Sequence, residues 1–378
     1  SLPATPLSRN RKRRETMSMP DTRSLNGAEA AREALFECME RDGDVFMMGE
    51  GIADHGNFFG TTNGLMEKFG SERMLEMPVA ENAMTGIAIG AAMMGQRPVM
   101  SLQRVEFVLL ALEQIFDNAA KIHYASNGRH KVPLVIRMVV GRGWGQGPHH
   151  AQSLESVFAH FPGLKVIMPA LARDSKGMLI AAIEDDSPVI CIEHRWIHFA
   201  KGPVPEGHYV EPLDGPRVRR EGSDVTIVAT SYAVLEALAT AEALEKVGVS
   251  AEIIDLRVLR PLNLGPVIKS VSKTGRLVTI DTGWITCGMG SEIVATVAQE
   301  CFGELKTPPR RLGLADHPTP SSKSLITDYY PTPEALIDCV GEMVGADKKQ
   351  LATARADMAE HRGNLPLDVP SPTFQGPF

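Results

Sequence analysis

The chain has 378 residues, a formal net charge of −7, 43% hydrophobic residues and 22% charged residues. That length suits about two domains, each able to bury a core without metal or disulfide staples. The mild acidity excludes the basic stripe of a nucleic-acid binder and gives no attraction to anionic lipid.

Residues 1–24 are polar and basic, with Arg11-Lys-Arg-Arg14 as a charge run. They lack the apolar core of a signal peptide. They are expected to form a disordered leader, with Met17 or Met19 as native starts. No apolar run reaches the ~18 residues that a membrane span needs. The cysteines, Cys38, Cys191, Cys287, Cys301 and Cys339, are scattered, odd in number and free of CxxC pairs. Such spacing fits neither a zinc site nor a disulfide framework. Five reduced thiols in the cytoplasm are therefore expected.

From residue 25 the pattern becomes regular. Asn26 is placed to cap an amphipathic helix over 28–41. Short apolar runs at 45–48 and 74–79 read as buried strands. A helix rich in Ala, Gly and Met follows over 81–94. A strand at 98–102 precedes a long helix over 106–125. The run PLVIRMVV at 133–140 is a buried strand, followed by a glycine-rich loop and a helix from about residue 154. Segments at 164–168, 175–183 and 189–192 continue the alternation. Such alternation predicts a parallel sheet covered on both faces. Periodicity fails between residues 194 and 221, where Pro203, Pro205, Pro212 and Pro216 mark a linker. A second, smaller α/β unit follows. Its strands are expected at 224–229, 251–256 and 276–280, and its helices at 233–247, 291–301 and 333–344. The tail after residue 346, which ends in a Pro-rich stretch at 366–378, is expected to lie extended on a surface.

Four features could carry chemistry. The loop Gly141-Arg-Gly-Trp-Gly-Gln-Gly147 mimics a dinucleotide loop, but its glycines alternate and miss the GxGxxG spacing. A loop that brings backbone close to a neighbour is the better reading. His149 and His150 are adjacent, so they point apart and cannot share a metal as a helical i, i+4 pair would. Each reads as a solvated side chain or, after a strand and a glycine loop, as an acid/base or oxyanion group. Glu81 opens a helix, where a carboxylate is favourable by itself. Glu50 ends a strand, where parallel sheets bind ligands, or is a solvated loop carboxylate.

An ordered series of motifs carries a resemblance. Met48-Gly-Glu-Gly51, Phe59-Gly-Thr-Thr-Asn-Gly-Leu65 and Met77-Pro-Val-Ala-Glu-Asn-Ala-Met-Thr-Gly86 come first. Glu113-Gln-Ile-Phe-Asp-Asn-Ala-Ala-Lys121, His150-Ala-Gln-Ser153 and Asp255-Leu-Arg-Val-Leu-Arg-Pro-Leu262 follow. Together the chain resembles the β subunit of the thiamine-diphosphate-dependent first component of 2-oxo acid dehydrogenases, of pyruvate, branched-chain and acetoin types, in the transketolase-like superfamily. The resemblance spans roughly residues 25 to 344. It implies an α/β fold with a pyrimidine-binding domain over 25–200, a linker over 201–221, a transketolase C-terminal-like domain over 222–345 and a tail over 346–378.

The resemblance also implies roles. The glutamate at Glu81 would hydrogen-bond the cofactor's aminopyrimidine, within an apolar surround of Val79, Ala80 and Ala83. Phe107 would stack on the pyrimidine. Glu50 would lie near the cofactor, and His150 would orient substrate or assist acyl transfer. Ala182, Asp185 and Ser187 would form a structural cation loop. Magnesium and the diphosphate need a GDG motif, and Asp42-Gly-Asp44 is the wrong order. The resemblance therefore implies an α-type partner that carries GDG, a heterotetramer of two α and two β chains, and a lipoyl domain or carrier protein as acceptor. A split transketolase-like enzyme that moves a two-carbon unit to a carrier, or a non-catalytic partner subunit, are the alternatives. Gln103-Arg-Val-Glu106 replaces the family's more aromatic stretch, His149 stands where Gln is common, and 321–330 departs from the usual segment.

Overall fold

A computed structural model describes residues 22–142, 145–367, 369–370 and 374. The expected leader therefore lies outside the described residues up to residue 21. Thr22, Arg23 and Ser24 belong to strand β1, Thr22–Asn26. Helix α1, Gly27–Arg41, starts at Asn26 as the sequence predicts. Asn26 and Glu29 form a capping box, each side chain accepting from the other's backbone N–H at 2.8 Å. Such a cap contributes about 1 kcal/mol.

Then come β2 (Val45–Gly49), α2 (Leu65–Phe69), β3 (Met74–Glu76), α3 (Glu81–Met93) and β4 (Arg97–Leu102). The helix expected over 106–125 is broken. It comprises α4 (Val105–Val108), a 3-10 turn (Leu109–Ala111), a π segment (Gln114–Ala119) and α5 (Ala120–Ala125). A π segment adds a residue to a turn and re-aims what precedes it. The Glu106 carboxylate is pulled away to accept from Gln152 N at 2.8 Å. The half closes with β5 (Val135–Val140), α6 (Glu155–His160), β6 (Lys165–Ile167), α7 (Ala172–Glu184) and β7 (Val189–His194).

The proline-rich segment is more ordered than a linker. Its strand β8, Lys201–Pro205, pairs antiparallel with β1. Its second strand β9, Arg217–Arg220, pairs antiparallel with β11 (Ala251–Asp255). Pro203 and Pro205 sit in a two-stranded ribbon, where an edge tolerates the missing N–H. The second half contains β10 (Val225–Ala229), α8 (Tyr232–Glu245), β11, β12 (Val258–Arg260) and α9 (Gly265–Thr274). It continues through β13 (Leu277–Trp284), α10 (Met289–Glu300), β14 (Arg310–Leu314) and α11 (Pro333–Val344). The expected extended tail begins instead as helix α12, Lys348–Arg362. Its composition is polar, but Ala354 and Met358 stack four residues apart and are buried.

The first sheet has seven strands in the order β12-β6-β7-β5-β4-β2-β3, the second five in the order β14-β13-β10-β11-β9. All pairs in the first sheet are parallel except β12 with β6. Strand β12 comes from the second half of the chain, so the two halves are joined through a shared sheet. A buried charge network reinforces the junction. Arg219 pairs with both Asp174 and Asp255, and Arg257 lies 3.8 Å from Asp174. One apolar core runs from Phe46 and Met48 to Leu256, Val267 and Ile293 across the two halves. A second fills the other face of the first sheet, under α1 and α7.

Candidate active site

Four neighbouring parallel strands, β5-β4-β2-β3, present their carboxyl ends along one edge. Glu50 follows β2, Glu81 follows β3, Phe107 follows β4 and His150 follows β5. This is where an open α/β sheet forms its ligand crevice.

Glu81 is the first residue of α3 and only 4% exposed. The positive end of the helix favours its carboxylate there. Glu50 faces it. Burial first, then the charges of Glu81 and Glu76, push the Glu50 carboxyl above its ordinary range. Its Oε1 is buried and bonded to none of the described residues. Gln103 donates to the Glu50 carbonyl at 3.2 Å, and Glu76 accepts from the backbone N–H groups of Gly51 and Ala53. The strand end is thus held while the Glu50 oxygen stays open. The apolar surround expected for Glu81 differs. Val79 is 79% exposed and Ala83 is exposed, because both point out of this chain and not over the carboxyl.

Phe107 and His150 meet edge-to-face, with ring centroids 5.7 Å apart. The histidine pair separates: His149 is exposed, whereas His150 is half-buried. The His150 Nδ1 is buried and has no partner among the described residues. Burial, then the charges of Arg104, His149 and Arg195, push its imidazole below the ordinary pKa. It is neutral near pH 7 and can accept a proton. The acid limb of a pH–rate profile that depends on His150 should therefore fall below the ordinary value of ~6.5. A limb above that value, in kcat/KM measured from pH 5 to 9, would remove His150 from the step.

The glycine loop brings backbone against its neighbours, as its composition predicts. A Cβ on Gly141 would lie 2.2 Å from His194 Nε2, and one on Gly147 would lie 2.0 Å from Ser321 Oγ. Gln146, in the same loop, is a residue that sequence reasoning missed. Its Oε1 accepts from Arg104 Nη1 at 2.6 Å and from Arg195 Nη1. Arg195 Nη2 also donates to the His150 carbonyl at 2.7 Å. Arg104 follows β4 and Arg195 follows β7, so both join the same edge. The departure of 103–106 from an aromatic pattern was the only available signal.

Ala182, Asp185 and Ser187, the expected cation loop, lie away from this edge at the end of α7. Ile183 and Asp185 carbonyls each accept from Arg97 Nη1 at 3.1 Å. The Asp185 carboxylate accepts from Ser187 N at 2.8 Å and pairs with Lys165, and the Ala182 carbonyl accepts from Asp185 N. Arg97 and Lys165 thus serve the Asp185 oxygens. Among the described residues no group of His, Cys, Asp or Glu is arranged to hold a metal ion.

Two family models match, "Transketolase, pyrimidine binding domain" over 23–197 and "Transketolase, C-terminal domain" over 216–336. The chain is 39% identical to the 2-oxoisovalerate dehydrogenase subunit beta of Bacillus subtilis, over 86% of this chain and 97% of that one. It is 41% identical to the acetoin:2,6-dichlorophenolindophenol oxidoreductase subunit beta of Cupriavidus necator, over 82% and 94%. The mitochondrial pyruvate dehydrogenase E1 component subunit beta of Ascaris suum is 38% identical, over 84% and 90%. The chain belongs to this family of E1 β subunits.

A solved split-gene transketolase, an inactive β4 tetramer, shares the fold of this E1 β-type chain. Its TM-score is 0.66, with 24% identity over 86% of this chain and 99% of that one. The edge of the first sheet suits one half of a thiamine diphosphate. A buried glutamate, an open buried carboxyl oxygen and an aromatic face fit an aminopyrimidine ring. The sequence holds no Gly-Asp-Gly for the diphosphate and magnesium. All five cysteines are free, and among the described residues no helix is long and apolar enough to cross a membrane.

Proposed function

We propose that this chain is the β subunit of a thiamine-diphosphate-dependent enzyme that decarboxylates a 2-oxo acid and passes the acyl unit to a lipoyl domain or another carrier. The observation that carries the reading is the alignment of Glu50, Glu81, Phe107 and His150 at the ends of four adjacent parallel strands. The cofactor, when bound, supplies a nucleophilic carbon and an electron sink for loss of carbon dioxide. Glu81 would accept or share a hydrogen bond with a ring nitrogen of the aminopyrimidine, in a site where burial strengthens such a bond. Glu50, whose carboxyl is pushed up by burial and by the charges of Glu81 and Glu76, would turn its open oxygen toward the same ring edge. Phe107 supports the ring face. His150, neutral, takes or returns a proton at Nδ1 on the substrate side.

Magnesium and the diphosphate belong to an α-type partner carrying GDG, in a tetramer of two α and two β chains. Val79 before α3, Ile87 on it, Met94 at its end and Leu110 after α4 are exposed apolar side chains. An apolar surface of that kind suits a protein interface. A reducing, cytoplasmic location agrees with the five free thiols.

The test pairs calorimetry with a dye-reduction assay. The isolated chain should bind thiamine diphosphate with magnesium only weakly, and the complex with a GDG-bearing α chain should bind it tightly and reduce dye with pyruvate or 2-oxoisovalerate. Tight binding by the isolated chain would overturn the two-chain site.

A further inference from the structure

Among the described residues, several buried or half-buried arginines are matched by carboxylates. Arg137 meets both oxygens of Glu193, Arg219 meets Asp174 and Asp255, and Arg257 lies near Asp174 and Glu211. Arg195 is 1% exposed, yet its partners among the described residues are an amide oxygen and a peptide carbonyl. Its amide partner, Gln146 Oε1, also receives Arg104 Nη1. Two guanidinium groups thus converge on one neutral oxygen. Burial and the neighbouring Arg104 charge push Arg195 down to about 9, the cost of holding like charges together away from water. The nearby Glu106 carboxylate does not relieve this fully. It accepts from Gln152 N, and burial pushes its own carboxyl up. The convergence point lies beside His150, whose carbonyl Arg195 holds.

We infer that Arg104 and Arg195, bridged by Gln146, form the subsite that binds the carboxylate of an anionic substrate. A planar fork of N–H donors matches a carboxylate in a way that an amide cannot, because only the carboxylate carries the opposite charge. The three residues follow β4, β5 and β7, so the anion would sit at the sheet edge between the pyrimidine residues and the second half of the chain. The inference rests on the functional reading above for the identity of the anion as a 2-oxo acid. Arg104 and Arg195 are assigned to substrate binding, and Gln146 is a positioning residue.

Gln146→Glu tests this directly. The new carboxylate is isosteric and would fill the subsite from within. Reconstituted with an α-type partner, Q146E should keep or raise the thermal midpoint. It should also bind oxamate, an unreactive 2-oxo acid isostere, at least about tenfold more weakly than the unaltered complex by calorimetry. Arg104→Gln should weaken oxamate as well. In turnover, Q146E should raise KM for pyruvate at least about tenfold more than KM for acetoin, a neutral donor. Unchanged oxamate binding in Q146E and R104Q, or equal shifts in KM for the two donors, would overturn the subsite. If the unaltered complex turns over no 2-oxo acid, the functional reading fails, and the oxamate titration still decides whether the arginines bind a carboxylate.

Discussion

Glu81→Gln in the reconstituted complex should lower kcat by about 10²–10⁴-fold, the range a positioned acid–base group contributes. The thermal midpoint of the isolated chain should stay close to that of the unaltered protein. The asymmetry follows from the surroundings of Glu81. Its carboxyl is buried at the first turn of α3, but no ion pair among the described residues depends on it. Removing its charge costs only the helix-end interaction, worth up to about 1 kcal/mol. The chemistry, by contrast, needs a group that can share a proton with a ring nitrogen, and an amide cannot do so. Circular dichroism and stopped-flow turnover on the same preparation check both halves. Full activity in the variant would show that Glu81 is only a helix-end charge.

Glu193→Ala should destabilise the chain by about 3–5 kcal/mol in denaturant unfolding at pH 7, because it strands a buried guanidinium. Arg137 is fully buried, and its Nη2 contacts Glu193 at 2.9 and 3.1 Å. Its Nη1 reaches Thr61 Oγ1 at 3.3 Å, and the guanidinium lies 4.8 Å from the Phe58 ring. Burial alone would raise the Glu193 carboxyl, but the charge of Arg137 and the contact with His198 outweigh it and bring it down to about 2. A carboxyl lowered on folding contributes stability at pH values above its unfolded pKa. That contribution is lost as pH falls through the folded value. Unaltered protein should thus lose stability between about pH 4.5 and pH 2 through this group, and Glu193→Gln should lack that component. The double change Arg137→Met with Glu193→Leu should recover most of the loss, since a packed apolar pair needs no partner. A Glu193→Ala midpoint equal to that of the unaltered chain would refute the account. The pair joins β5 to β7, whose ends carry the His150 loop and Arg195, so it also steadies the site.

Much of the fold was readable locally. The Asn26 cap, the run at 133–140 and the alternation of apolar runs with helical spacing are short-range patterns, and the elements formed where those patterns lay. Residue motifs likewise marked Glu50, Glu81, Phe107 and His150. Other elements were hidden because their partners are distant. Strand β8 looks like a proline linker until β1 pairs with it. Helix α12 looks polar until Ala354 and Met358 are seen facing α8 and α11. The helix over 106–125 is broken by a 3-10 turn and a π segment, and Glu106 at its start meets Gln152, 46 residues away.

The α/β class and the family were thus legible in the chain alone, because they are written in periodicity and motif order. Only the tertiary structure decided which charges meet. Arg104 and Arg195 lie 42 and 49 residues from Gln146, and they converge because β4, β5 and β7 are adjacent in the sheet. It also decided that Val79 faces outward and that Arg97 serves the loop at Asp185. Strand order sets these contacts, and strand order arises from the packing of whole layers, which no local spacing of residues encodes.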